Sequence, residues 1–180
     1  MTAGAPAAFA ESRDRAWTSG GWRGELRFMA DKLRVTRYIA ARAEDFYAAV
    51  SDVTRMGEWS PECYACEWHE GFDGPRVGAT FDGHNRNGTR EWTTQGKVTE
   101  AAPGRAFAFE CSMRGFHYAT WGYHIASADG GCRVTEWSDD LRPESAMEFS
   151  RRTSGVDDRA SRNRETMTLT LDRLAAALEH

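Results

Sequence analysis

Apolar side chains recur at every second position through most of residues 80–138, and at every third or fourth position in the segments on either side. In 80–86, Phe81, Gly83 and Asn85 share one face and Asp82, His84 and Arg86 the other. In 91–99, Trp92, Thr94, Gly96 and Val98 oppose Glu91, Thr93, Gln95, Lys97 and Thr99. Phe107, Phe109, Cys111 and Met113 alternate with Ala106, Ala108 and Glu110 in 106–113. In 117–125, Ala119, Trp121, Tyr123 and Ile125 oppose Tyr118, Thr120 and His124, and in 132–138 Val134, Glu136 and Ser138 oppose Arg133, Thr135 and Trp137. A two-residue period places alternate side chains on opposite faces of a strand. Asn87-Gly88, Pro103-Gly104 and Asp129-Gly130-Gly131 supply turn chemistry between these runs, which predicts an antiparallel meander with one wet and one buried face.

Upstream, residues 32–40 read as a strand with Leu33, Val35 and Ile39 on one face. Residues 43–51 read as a helix carrying Phe46, Ala49 and Val50, and 53–58 add one or two turns that stop around Gly57 and Pro61. Downstream, Val156, Ala160, Asn163, Met167, Leu171, Leu174 and Leu178 form one stripe along a predicted helix of about 24 residues, roughly 36 Å long. That stripe needs a partner, and the buried face of the meander is the only large one on offer. The expectation is an α+β domain: a strand, two short helices, an antiparallel sheet, then a long helix packed across the sheet.

Composition narrows this without changing it. The 180 residues suit one domain, and 41% hydrophobic with 28% charged residues suits a globular chain. A net charge of −4 and a basic cluster (Arg151, Arg152, Arg159, Arg162, Arg164) diluted by Asp157, Asp158 and Glu165 argue against a nucleic-acid partner. No apolar run reaches the roughly 18 residues of a membrane span, and no secretory pattern opens the chain, so the expected location is the cytoplasm. Residues 1–28 read as a mobile extension, although Trp17, Trp22, Leu26 and Phe28 are able to anchor a short helix. The domain is expected to span 29–178, with Glu179 and His180 a tag remnant.

Catalytic signatures are sparse. Cys63 and Cys66 form a C-x-x-C without a second pair at ligand spacing, and on a regular strand they point to opposite faces. All four cysteines, with Cys111 and Cys132, are therefore expected as free thiols, with no metal site and no cofactor. His84 and His124 have outward parity, and His69 precedes a glycine turn. His117 begins a strand, within reach of a cavity rim. The sequence has no G-x-S-x-G, P-loop or Rossmann glycine pattern, and GHNRNG at 83–88 joins two strands rather than opening a helix.

The element order, together with SDVTRMGEWSPE at 51–62, GHNRNG at 83–88, FAFE at 107–110 and the closing helix, resembles the SRPBCC family: the START-like, Bet v 1-like, polyketide cyclase/dehydrase group. The resemblance covers about residues 32–177 and implies a helix-grip fold, with about seven strands in a curved sheet around the C-terminal helix. It further implies a cavity between sheet and helix, lidded by the segment that carries Trp59 and Pro61. Large aromatics either fill that gap or line a pocket of several hundred Å³.

On the pocket reading, the expected ligand-binding residues are Trp59, Phe81, Asn85, Trp92, Phe109, Trp121, Tyr123, Glu136, Asn163 and Met167. Asn85, Thr94, Glu136 and Asn163 put polar groups on the inward face, where each needs a partner in the protein, water or ligand. A desolvated Glu136 is a candidate proton shuttle, with Tyr123 and His117 the other acid/base candidates; the alternative for Glu136 is an ion pair with an arginine or a wet cavity mouth. The leading expectation is a carrier or binder of an apolar or aromatic molecule, lipid- or polyketide-like. The rivals are an aromatase/cyclase-type enzyme and a protein-interaction domain with a filled core. Oligomeric state is not legible.

Overall fold

The structure is a computed structural model that describes residues 32–179. The expectations for residues 1–28, the domain start at Met29 and His180 lie outside the described residues. The elements run β1 (Leu33–Ile39), α1 (Ala43–Ser51), a 3₁₀ turn (Val53–Arg55), α2 (Met56–Trp59), β2 (Cys63–Trp68), β3 (Thr80–Asn87) and β4 (Arg90–Ala102). They continue with β5 (Ala106–Met113), β6 (Phe116–Ala128), β7 (Gly131–Asp140), α3 (Glu144–Ser154) and α4 (Arg159–Leu178). The seven strands form one antiparallel sheet in the order β1-β7-β6-β5-β4-β3-β2. Strands β1 and β2 are thus opposite edges, and the α1–α2 segment between them crosses the width of the sheet.

The alternation of apolar positions sets which face is buried. Phe81, Val98, Phe107, Ile125 and Val134 are all buried, and α4 adds Met167, Leu171, Leu174 and Ala175 at helical spacing. Phe46 and Val53 close the α1 end of this core. Each large side chain so buried contributes roughly 1.5–3 kcal/mol, which is what holds the helix on the sheet. Arg37 on β1 pairs with Asp172 on α4 at the edge of that contact.

Three bulges interrupt the ladder and re-aim side chains. Register shifts between Cys63 and Ala65 on β2, between Val98 and Glu100 on β4, and where Cys111 and Ser112 meet Ala119 and His117 across β5–β6. An unpaired residue at a bulge breaks the two-residue alternation. The expected opposite orientation of Cys63 and Cys66 fails for this reason: both are buried on the inner side.

The C-terminal helix is shorter than the stripe predicted. Gly155, in the left-handed region at φ 70°, ends a separate helix α3, and the Asp158 side chain caps a new start by accepting from Ser161 N at 2.9 Å. Val156 therefore lies between two helices, and Ala160 is exposed on the first turn of α4. Among the described residues no helix is long and apolar enough to cross a membrane.

Candidate functional site

Between the sheet, α2, α3 and α4 lies a cavity of about 390 Å³. Its floor is sheet: Phe81, Asn85, Trp92, Phe109, Trp121 and Tyr123 all face it. Some of these rings also pack on one another, Phe81 and Phe109 edge to face with centroids 5.4 Å apart. Aromatics thus both fill the core and line the void, the two outcomes that the sequence left open. Trp59 of α2 forms part of the wall and is 4% exposed. It is clamped from outside, with the Arg55 guanidinium 4.7 Å from its ring and Arg173 of α4 donating to its carbonyl at 3.2 Å. Arg159 at the start of α4 binds Glu62 at 2.7 and 3.0 Å, tying the exit of this lid to the helix. Phe116 and Phe149 line the cavity while about half exposed, which marks its opening beside α3.

One carboxyl sits deep in the wall. Glu136 on β7 is 5% exposed, and Tyr123 O–H donates to its Oε1 at 3.2 Å across the β6–β7 register. Its Oε2 is buried and has no hydrogen-bond partner among the described residues. Burial pushes this carboxyl up to about 8, against the lowering effect of the Tyr123 hydrogen bond. Burial, and then the neighbouring carboxylate, raise Tyr123 well above an ordinary phenol. At neutral pH Glu136 is therefore mostly protonated, a neutral carboxyl in the cavity wall that can donate as well as accept a hydrogen bond. Asn85 is satisfied differently, donating to Gly83 O at 3.0 Å and to Thr94 Oγ1 at 3.3 Å.

Three cysteines also reach the cavity. Cys63 Sγ and Cys66 Sγ are 3.4 Å apart. The hydrogen bond to Cys63, reinforced by burial, pushes the Cys66 thiol up, and the same bond lowers Cys63. Burial raises Cys111 to about 12. All four cysteines are free.

The sequence profile of the family described as "Polyketide cyclase / dehydrase and lipid transport" matches residues 30–179, which include every described residue. The chain belongs to this family. Protein CV1439 from Chromobacterium violaceum has a similar structure, at 17% identity over 84% of this chain and 99% of that one, with a TM-score of 0.64. The Polyketide_cyc-like protein Cgl2372 from Corynebacterium glutamicum is 29% identical over 83% of this chain and 89% of that one, with a TM-score of 0.51. The di-domain ARO/CYC StfQ from the steffimycin biosynthetic pathway is 15% identical and has a TM-score of 0.64, over 86% of this chain and 52% of that one. No curated protein sequence matches. The helix-grip architecture and the SRPBCC resemblance both stand.

Within this polyketide cyclase/dehydrase-family fold, nine of the ten side chains expected at the ligand line the one cavity: Trp59, Phe81, Asn85, Trp92, Phe109, Trp121, Tyr123, Glu136 and Asn163. Met167 does not; it is 1% exposed in the α4 face outside the cavity wall, because Arg159, Asn163, Thr166 and Thr170 are the α4 residues turned to the void. His117 is not brought to the site either. Its Nε2 lies 3.0 Å from Ala119 O and 3.2 Å from Thr120 Oγ1, away from the cavity lining. Tyr118, expected on the wet face, lines the cavity because the β5–β6 bulge leaves it unpaired between His117 and Ala119. Cys63 and Cys66 enter by the β2 bulge. Neither bulge has a marker in the sequence that a two-residue period reveals.

Proposed function

We propose that this chain binds an apolar or aromatic small molecule, lipid- or polyketide-like, inside the cavity. The observation that carries the proposal is the pairing of an aromatic-lined void of about 390 Å³ with Glu136, whose Oε2 is, among the described residues of the lining, the one buried carboxyl oxygen without a hydrogen-bond partner. The volume lies within the 300–1,000 Å³ typical of small-molecule sites, which combine apolar walls with a few polar anchors. Apolar burial at roughly 25 cal/mol per Å² supplies affinity, and a hydrogen bond from Glu136 to a ligand carbonyl or ether oxygen supplies orientation. Family membership is consistent with such a ligand without naming one.

The test is native mass spectrometry of the protein purified from its native host, followed by titration of the tryptophan emission with fused-ring aromatics and acyl chains. A co-purifying small molecule, or saturable quenching that Trp121→Ala weakens at least about tenfold, is the expected result. No bound molecule and no saturable binding across the panel would sink the proposal.

The same carboxyl supports a second reading, an aromatase/cyclase-type enzyme in which Glu136 passes a proton to or from the bound chain. Its value of about 8 keeps it close to neutral pH, where proton transfer is most effective. Glu136→Gln separates the two readings. Turnover lost with affinity kept favours the enzyme, whereas a wild-type protein that binds and releases its ligand unchanged favours the carrier.

A further inference from the structure

At one patch of the cavity wall the Cys66 sulfur meets two others. Cys63 Sγ and Cys66 Sγ are 3.4 Å apart, and Cys66 Sγ is 3.8 Å from Met56 Sδ. Three local features make the meeting. The β2 bulge turns both thiols inward. Gly57 lets α2 lie directly on the bulged strand, since a Cβ there would fall 2.1 Å from Tyr64 O, and this brings Met56 against Cys66. On the neighbouring strand, Gly83 leaves both thiols open, as its absent Cβ would stand 3.6 Å from each sulfur.

We propose that Met56, Cys63 and Cys66 form a binding site for a soft monovalent cation, with cuprous copper the ion that fits. Thiolate and thioether donors select copper(I) over hard cations. With metal–sulfur bonds of about 2.3 Å at 120°, a three-coordinate ion needs three sulfur–sulfur edges of about 4 Å; the two that meet at Cys66 are close to that, and the rotatable Met56 side chain must swing to close the third. Zinc, which takes four ligands in structural sites, is poorly served. Among the described residues no three His, Cys, Asp or Glu side chains converge, and the third donor here is a thioether. The nearby carboxylates are engaged elsewhere, Glu62 with Arg159 and Asp82 with His69. On binding, Cu⁺ enters, the two thiol protons leave to solvent and two copper–thiolate bonds form; no electron is transferred. The site is independent of the small-molecule reading, and either can fail alone.

The test is an anaerobic titration of the fully reduced protein with Cu⁺ against a chromophoric Cu⁺ chelator. One ion per chain is expected, bound at least about 100-fold more weakly by Cys63→Ser and by Cys66→Ser, and about tenfold more weakly by Met56→Leu. Cys132→Ser, at a buried thiol outside the cavity lining, should bind as the wild type does. X-ray absorption of the copper-loaded wild type should show a first shell of three sulfurs at about 2.3 Å, and this decides the matter without any variant should a cysteine variant fail to fold. Failure to hold copper against the chelator, uptake that survives in both cysteine variants, or a first shell of nitrogen and oxygen would overturn the proposal.

Discussion

Glu136 carries the most consequential charge in the molecule because it is nearly absent there. Its carboxyl lies at about 8 when folded, against an ordinary value of 4.5, and the cause is burial. Between those values the folded chain keeps a proton that the unfolded chain has released, so stability falls as pH rises. The contribution is complete below about 4.5 and is lost as pH climbs through about 8, at close to 1.4 kcal/mol per pH unit. Urea unfolding at pH 5, 6 and 7 should show this slope in the wild type, and Glu136→Gln, which stays neutral throughout, should lack it. Parallel pH profiles would show that Glu136 is not desolvated in solution. This residue was legible from sequence because β7 alternates without a break, Val134, Glu136 and Ser138 all turning inward. Tyr118 and Cys66 were not, because each sits at or just past a bulge, and an inserted residue reverses the parity of whatever follows it.

At the scale of elements, the same distinction separates strands from helices. Six of the seven strands were readable from the two-residue period of their sequences, as was the apolar part of α4. Helix α3 was not. Its cavity-facing positions Ala146, Phe149, Ser150, Thr153 and Ser154 follow helical spacing, yet three of the five are polar, so no hydrophobic stripe announces it. The α2–β2 junction depends on an interaction equally invisible in a hydrophobic pattern, the backbone contact permitted by Gly57. Gly57→Ala forces its new Cβ against Tyr64 O, where the obstacle is main chain and cannot rotate away. The expected cost is roughly 1–3 kcal/mol, read as a lower urea midpoint with an unchanged slope. A midpoint within error of the wild type would mean that α2 does not pack on the bulged strand. Because α2 also carries Trp59 and Met56, the variant should loosen the lid as well as the junction.

For the whole molecule, the sheet and α4 are joined at one end by a packed core and held apart at the other by a void. A fold that leaves such a void forgoes the contacts that would fill it, so a molecule that occupies the void should stabilise the protein by mass action. Ligand at 100 times its Kd adds about 2.7 kcal/mol, a rise of roughly 5–10 °C in Tm for a chain of this size. The void itself is testable without knowing the ligand. Ala119 on β6 lines it and is 5% exposed, so Ala119→Phe extends a ring into the open space. In a close-packed interior that change costs about 1–3 kcal/mol by overpacking, whereas in a real void the added ring gains contacts. The expected outcome is therefore a Tm equal to or above that of the wild type, together with loss of any ligand-induced rise. A fall in Tm would mean that the aromatics close the gap in solution, and the cavity reading would fall with it. A raised Tm with ligand response intact would keep the void but move the ligand elsewhere. The joint result, more stable and unresponsive, is the one that ties the cavity to binding, because a filled core and a surface site each predict only one half of it.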